Sequence, residues 1–377
     1  MKRHFILLLS LAISASTFAT DRVVDPSGLY PTIKDAIIAS SDGDRILVPA
    51  GTYSDNLLVA KSISILPNQE GVKYTVSGVL EFGGSAGTKI LISGGRFTSA
   101  IQRSNGAITG RVDLVLVDCY AQFATLDHPS VHCQLYRDTI NQYLRFSSGQ
   151  IIGNTIIGAQ SYAPALALIS GSTLPDENAI IGNAIQAVNG SSFAGYMVEL
   201  SPSTRFTMEN NFLRNQQTNS RLCRIALTVL PPFSLASTII NNTFYHTTNT
   251  AFSAVTSEQD YGVVFKNNAV LGDTGPMIDF VLGGDVYPPT NNLAPTSWIN
   301  TSTGEALIGT PLIDAGDPSP RYLDLDLSIN DVGCYGGSNS RANFTTAMGS
   351  AVVGYMRAPR VVAQGEPLII SVVGFDR

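Results

Sequence analysis

Ile152-Gly153-Asn154-Thr155-Ile156, Ile181-Gly182-Asn183-Ala184-Ile185, Met208-Glu209-Asn210-Asn211-Phe212, Ile240-Asn241-Asn242-Thr243-Phe244 and Phe265-Lys266-Asn267-Asn268-Ala269 are five copies of one pattern, apolar–x–Asn–x–apolar. A weaker copy centres on Asn291. With the centres at Asn154, Asn183, Asn210, Asn242, Asn267 and Asn291, the intervals are 29, 27, 32, 25 and 24 residues. Alternation puts the flanking apolar side chains on one side of a strand. Asparagine tolerates the left-handed backbone that a tight corner needs. Its amide can also hydrogen-bond to copies stacked above and below, which removes the cost of burying it.

A period of 24–32 residues without helical patterning selects a solenoid of short strands. The leucine frame of leucine-rich repeats is missing, and one Trp in the whole chain argues against a propeller of Trp-Asp blades. Three short strands and three turns per coil fit the period. The stretch from about 45 to 340 then holds roughly eleven coils, a rod on the order of 50 Å long. Composition agrees: only 14% of residues are charged, 44% are hydrophobic, and Gly numbers 34. Such a chain reads as all-β with frequent turns.

The start of the solenoid is legible as well. Thr32 can cap a helix with Asp35 three residues on, and Ile33, Ala36 and Ile37 share its apolar face. Short strands follow at Arg45-Ile46-Leu47-Val48, Leu57-Leu58-Val59 and Ile63-Ser64-Ile65. One amphipathic helix ahead of nothing but short strands covers the open apolar end of a stack.

Residues 1–19 read as a secretory leader. Lys2, Arg3 and His4 precede an apolar run from Phe5 to Ile13, and small side chains at Thr17 and Ala19 precede a cut near Ala19–Thr20. Residues 20–340 are then the parallel β-helix and 341–377 a C-terminal β extension that caps the last coil or pairs with its edge. The expected location is secreted or on the cell surface. No apolar run is long enough for a membrane span, and with a net charge of −6 and no basic run beyond the start, nucleic acid is not an expected partner. Export permits disulfides. Of Cys119, Cys133, Cys223 and Cys334, the first two are the pair closest to bridging range; the other reading is four buried thiols.

Several stretches resemble the pectin-lyase-like right-handed parallel β-helix proteins of secreted bacterial type. The opening resemblance lies in Thr32–Ile37, Gly43–Val48, Gly51-Thr52-Tyr53 and Lys61–Ile65. Pro311–Pro318, followed by Asn330–Gly337, is similar to the closing motif of many such proteins. The resemblance implies an all-β right-handed parallel β-helix with an N-terminal capping helix. It does not imply one activity, because the fold hosts lyases, hydrolases, esterases and binding proteins. The family's lyases use Ca²⁺-holding carboxylates with a basic residue, since a proton beside a carboxylate becomes acidic only when cations neutralise the developing charge. Most of the family's catalytic signatures are absent here; Asp127-His128 and Arg357-Ala358-Pro359-Arg360 are faint echoes.

The densest candidate cluster is residues 111–145. Within it Asp118, Asp127, His132 and Arg137 are the candidate catalytic groups, with Asp118 and His132 as base and orienter. Tyr120, Tyr136 and Tyr143 are candidates for stacking on sugar rings. The other reading of the same stretch is a solvated coil face. Asp314, Asp317, Asp324 and Asp326, joined by Asp331, could hold Ca²⁺ in a flexible loop or simply close a turn; no cofactor is required. The function expected first is a non-catalytic exported protein that binds a polysaccharide or cell-surface partner along one sheet face. The alternative is a polysaccharide lyase or hydrolase.

Overall fold

The computed structural model describes residues 19–159, 164–188, 195–201, 203–217, 220–226, 237–250, 253–257, 263–273, 278–280, 298–344, 351–357, 362 and 364–376. Residues 1–18 of the leader, Asn291 and residues 358–360 lie outside them.

The chain winds as a right-handed parallel β-helix. Its first sheet has eleven strands, from Asp21–Val23 through Val112–Val117, Val131–Tyr136 and Gly149–Ile152 to Val264–Lys266, each parallel to the next. After each of these strands except the first, which leads into the capping helix, comes a corner, a strand of the second sheet, a second corner, a strand of the third sheet, and a third corner. Thr155–Gly158, Ala184–Ala187 and Phe212–Asn215 illustrate the second sheet. Leu144–Phe146, Leu166–Leu168, Tyr196–Leu200 and Arg221–Ile225 illustrate the third. Inward side chains such as Leu114, Leu135, Ile151, Ile180, Phe146, Leu166 and Val198 fill a single continuous core.

Helix α1, Ile33–Ala39, closes the first coil as the sequence predicts. Thr32 accepts the Asp35 N–H, and Ile33, Ala36 and Ile37 are buried against the core. Lys61 Nζ, from the next coil, donates to the carbonyls of Ile37, Ile38 and Ser40 at 2.6–3.0 Å. A cation thus satisfies the helix's C-terminal carbonyls, which a seven-residue helix cannot pair internally.

The first corner separates two jobs that the sequence repeat assigns to one residue. From the fourth first-sheet strand, Thr88–Ser93, onward, the residue just after the strand takes the left-handed conformation: φ is +64° at Gly94, +53° at Asp118, +57° at Arg137, +68° at Gly153 and Gly182, and +55° at Asn210, Asn241 and Asn267. The residue after that one points inward and stacks. Asn154, Asn183, Asn211, Asn242 and Asn268 form this buried ladder. Each backbone N–H donates to the Oδ1 of the next rung at 2.8–3.0 Å, over sequence gaps of 29, 28, 31 and 26 residues. Each Nδ2 donates both to that same Oδ1 and to a first-sheet carbonyl of the preceding coil. The sequence frame therefore slips by one at Asn210 and Asn267, where the first of two adjacent asparagines turns the corner and the second is the rung.

Residues 298–344 do not add coils. The described strands of the stack end at Ile278–Phe280, and this later segment runs back along the outside of the first corner. The Asp317 N–H reaches Asn267 Oδ1 at 3.0 Å, and the Gly333 N–H reaches the Asn267 carbonyl. Asn241 and Asn210 donate to the carbonyls of Gly336 and Cys334. Further on, Asn339 donates to Glu209. The segment ends in a short 3-10 turn, Arg341–Phe344, whose Phe344 ring lies on Gly153 and Gly182. Leu312, Val332 and Cys334 meanwhile pack on Phe212, Ala269 and Leu271, which face outward from the second sheet.

The strands Ala351–Arg357 and Ser371–Asp376 pair antiparallel with each other and with no coil among the described residues. All four cysteines are buried and unpaired. Cys119 and Cys133 point into the core from different faces of the coil, one at a ladder position and one from a first-sheet strand, which rules out the bridge their spacing allowed.

Candidate functional site

The four candidate catalytic residues do not form one group. Asp118 and Arg137 are successive first-corner residues, and they make a two-pronged ion pair with Nε–Oδ1 at 3.0 Å and Nη2–Oδ2 at 3.1 Å. Lys73 Nζ donates to the Asp118 carbonyl at 2.7 Å. Asp127 sits at the third corner, the far end of the first-sheet strand, about 20 Å away for a six-residue strand. There it holds Arg103 at 2.6 Å and Arg145 at 3.1 Å.

His132 is elsewhere again, on the outer face of the first sheet between Asp113 and Ser148 of the neighbouring coils. Its Nδ1 is 2.9 Å from Ser148 Oγ. A strap formed by residues 171–177 crosses this face. Thr173 donates to the Pro129 carbonyl, while Arg111 bridges Asp113 at 2.9 Å and Asp176 at 2.7 Å. His132 is 5% exposed under this cover. Desolvation holds its imidazole below the usual histidine value, with the Asp176 and Asp113 carboxylates opposing and Arg111 reinforcing that effect. The folded state therefore binds a proton here less readily than the unfolded chain does. Stability is fully present above the ordinary histidine pKa of about 6.5 and is lost as pH falls through the depressed value. His132→Gln should flatten that acid limb in a series of thermal melts from pH 7 to 5; an unchanged limb would mean that His132 is not its source.

The three candidate stacking tyrosines also part company. Tyr136 is buried with Val117, Ile152 and Ile181 beneath Phe344, and its hydroxyl donates to Gln150 at 2.9 Å. Tyr120 lies under the Arg96 guanidinium, 4.3 Å from its ring centre. Tyr143 is stacked on Phe123 at 5.3 Å at the second corner and remains half-buried.

The carboxylates of the closing segment are used on its own backbone and on one lysine. Asp317 pairs with Lys266 and accepts from Ser319; burial opposes its ionisation, but these partners outweigh it and hold the group at about 2. Asp324 accepts the N–H groups of Asp331 and Gly337, and burial pushes it up to about 6. Asp326 accepts from Ser328, while the Asp314 N–H is held by Asp331. Among the described residues no three His, Cys, Asp or Glu side chains are grouped closely enough to hold a metal ion.

The outer row of the third sheet brings together groups that charge density in 111–145 does not reveal. Thr125, Arg145, Ala167, Glu199, Arg224 and Thr256 are neighbours in successive coils. Arg145 is tethered by Asp127, and Glu199 meets Arg224 at 3.5 Å. Between them Ala167 is buried, so the accessible charges of the row are Arg145, Glu199 and Arg224. At the second-corner end of these strands, Tyr196 lies beneath the guanidinium groups of Arg221 and Arg224, 5.7 and 5.4 Å from its centre, and Phe123 and Tyr143 stack nearby. The row is hidden in the sequence because its steps, 22, 32 and 25 residues, do not follow the 29 and 28 of the asparagine rungs alongside.

No known family profile and no curated protein matches the chain. Among solved structures, the crystal structure of pectate lyase Pel9A is similar, at 12% identity over 85% of this chain and 97% of that chain, with a TM-score of 0.47. Three parallel sheets, one strand of each per coil, an asparagine-lined corner and a capping helix together make this chain a right-handed parallel β-helix.

Proposed function

We propose that this is an exported or cell-surface protein that binds a polysaccharide along the outer face of its third sheet without transforming it. The observation that carries this reading is the row Arg145–Ala167–Glu199–Arg224 with Tyr196, Phe123 and Tyr143 at its edge. Fixed guanidinium and carboxylate groups suit sugar hydroxyls, and aromatic faces suit the C–H surfaces of sugar rings. The charges are held in pairs, which favours recognition over the loosely held base that proton abstraction requires. Export fits the basic–apolar–small order of residues 1–19.

The test is retention on a panel of neutral and acidic polysaccharides. Arg224→Ala removes a partly exposed guanidinium of the row and should weaken retention by about tenfold or more, equivalent to about 1.4 kcal/mol. Equal retention by the two proteins would remove the third sheet from the reading. Release of an unsaturated, ultraviolet-absorbing product, with or without Ca²⁺, would replace binding by lyase chemistry.

A further inference from the structure

The asparagine ladder does not stop at Asn154. Two more coils continue it downward, with Asp138 and then Cys119 at the stacked position. The Asp138 N–H donates to Asn154 Oδ1 at 2.8 Å, and the Cys119 N–H donates to Asp138 Oδ1 at 2.7 Å. Asp138 thus accepts as an asparagine rung does. The other half of its carboxyl differs. Every asparagine rung uses Nδ2 to donate to the first-sheet carbonyl three residues before the rung of the preceding coil: Leu135, Ile151, Ile180, Met208 and Ile239. For Asp138 the same offset designates the Leu116 carbonyl. What occupies the donor's place is Oδ2, fully buried and without a hydrogen-bond partner. The second Nδ2 proton of a rung goes to the Oδ1 above, and here that atom, on Asn154, would face a second oxygen.

We propose that Asp138 carries a proton in the folded protein and serves as an asparagine surrogate, so that the β-helix holds a built-in proton-binding site at the seam between its asparagine-laddered coils and its N-terminal coils. The proton turns Oδ2 into the donor that the ladder requires and removes an oxygen–oxygen contact inside a dry core. The surroundings agree. Cys119 and Tyr74 on the inner side are a buried thiol and a buried hydroxyl that itself lacks a partner, and neither supplies positive charge. Lys73 and Arg137 lie on the outer side, where Lys73 is bonded to the Asp118 carbonyl and Arg137 to the Asp118 carboxylate. Desolvation raises the carboxyl well above the ordinary aspartate value and Asp118 reinforces it, against smaller opposing effects from the Cys119 N–H, Lys73 and Arg137. A raised folded-state value has a definite sign. The contribution to stability is fully present below about pH 4, the unfolded value, and is lost as pH rises through the folded one.

Asp138→Asn supplies the donor permanently. In thermal melts of the full chain from pH 4 to 9, the variant should match the wild type at the acid end and exceed it by about 3 °C or more at the alkaline end. Infrared spectra at neutral pH should contain a protonated-carboxyl carbonyl band that persists in D₂O and is missing from Asp138→Asn. Parallel pH profiles, or spectra without that band, would overturn the proposal. The infrared readout does not depend on how the melts are interpreted, and both are independent of any polysaccharide.

Discussion

Asn211→Leu should be among the most destabilising single substitutions available in this chain, lowering the free energy of unfolding by about 3–5 kcal/mol. Leucine matches the volume of asparagine closely enough that no large cavity opens, so the loss comes from hydrogen bonds. Asn211 Oδ1 accepts from the Asn183 N–H at 3.0 Å and from Asn183 Nδ2 at 2.8 Å, while its own Nδ2 donates to the Ile180 carbonyl and to Asn242 Oδ1. All of these groups are in the dry interior of the rod, where an unpaired donor has no water to turn to. Asn210→Leu, one residue earlier, is the matched control. It abandons a left-handed backbone position that asparagine tolerates and a contact with the closing segment, at a cost of about 1–2 kcal/mol. Urea unfolding of both variants separates the two jobs of the corner. Equal losses would mean that the division between turning residue and rung is wrong.

Gly182→Ala should release the end of the closing segment. The position has φ of +68°, which costs an alanine about 1–2 kcal/mol. In addition, a Cβ there would stand 2.2 Å from the Phe344 ring, and the neighbouring Gly153 leaves no free space on the other side, since its own Cβ position is 2.8 Å from the same residue. The ring must leave, exposing Tyr136, Ile152 and Ile181. Loss of that burial adds about 2–3 kcal/mol. Amide hydrogen exchange should rise sharply over 338–344 while the ladder coils stay protected. Because Phe344→Ala removes the clash, the double variant should cost clearly less than the sum of the two single ones. Unchanged exchange over 338–344 in Gly182→Ala would show that Phe344 is not seated by the absent side chain.

The coil architecture could be read from the sequence because a solenoid repeats its local physics. Apolar alternation, corner asparagines and the Thr32–Asp35 cap each act over a few residues, and each recurs where expected. The one-residue slip at Asn210-Asn211 and Asn267-Asn268 arises because both residues of a pair suit the corner, one through its backbone and the other through its amide. Residue spacing could not place the side chains of 111–145, since Asp118 and Asp127 are close in sequence yet occupy opposite ends of a first-sheet strand. The backward course of 298–344 was hidden for a different reason. Its partners are Asn267, Asn241, Asn210, Gly182 and Gly153, and nothing in the segment's own pattern names a site many coils earlier.

That backward course changes the cooperativity of the molecule. In a plain stack each coil interacts with its two neighbours, so stability is close to a sum of local terms and the ends can melt alone. Here one strand of chain touches five successive levels, from Asn267 down to Gly153. Coils that would otherwise open one at a time are stitched into a block that gains or loses the closing segment together. The segment can be seated only where the five levels it touches are already stacked in register.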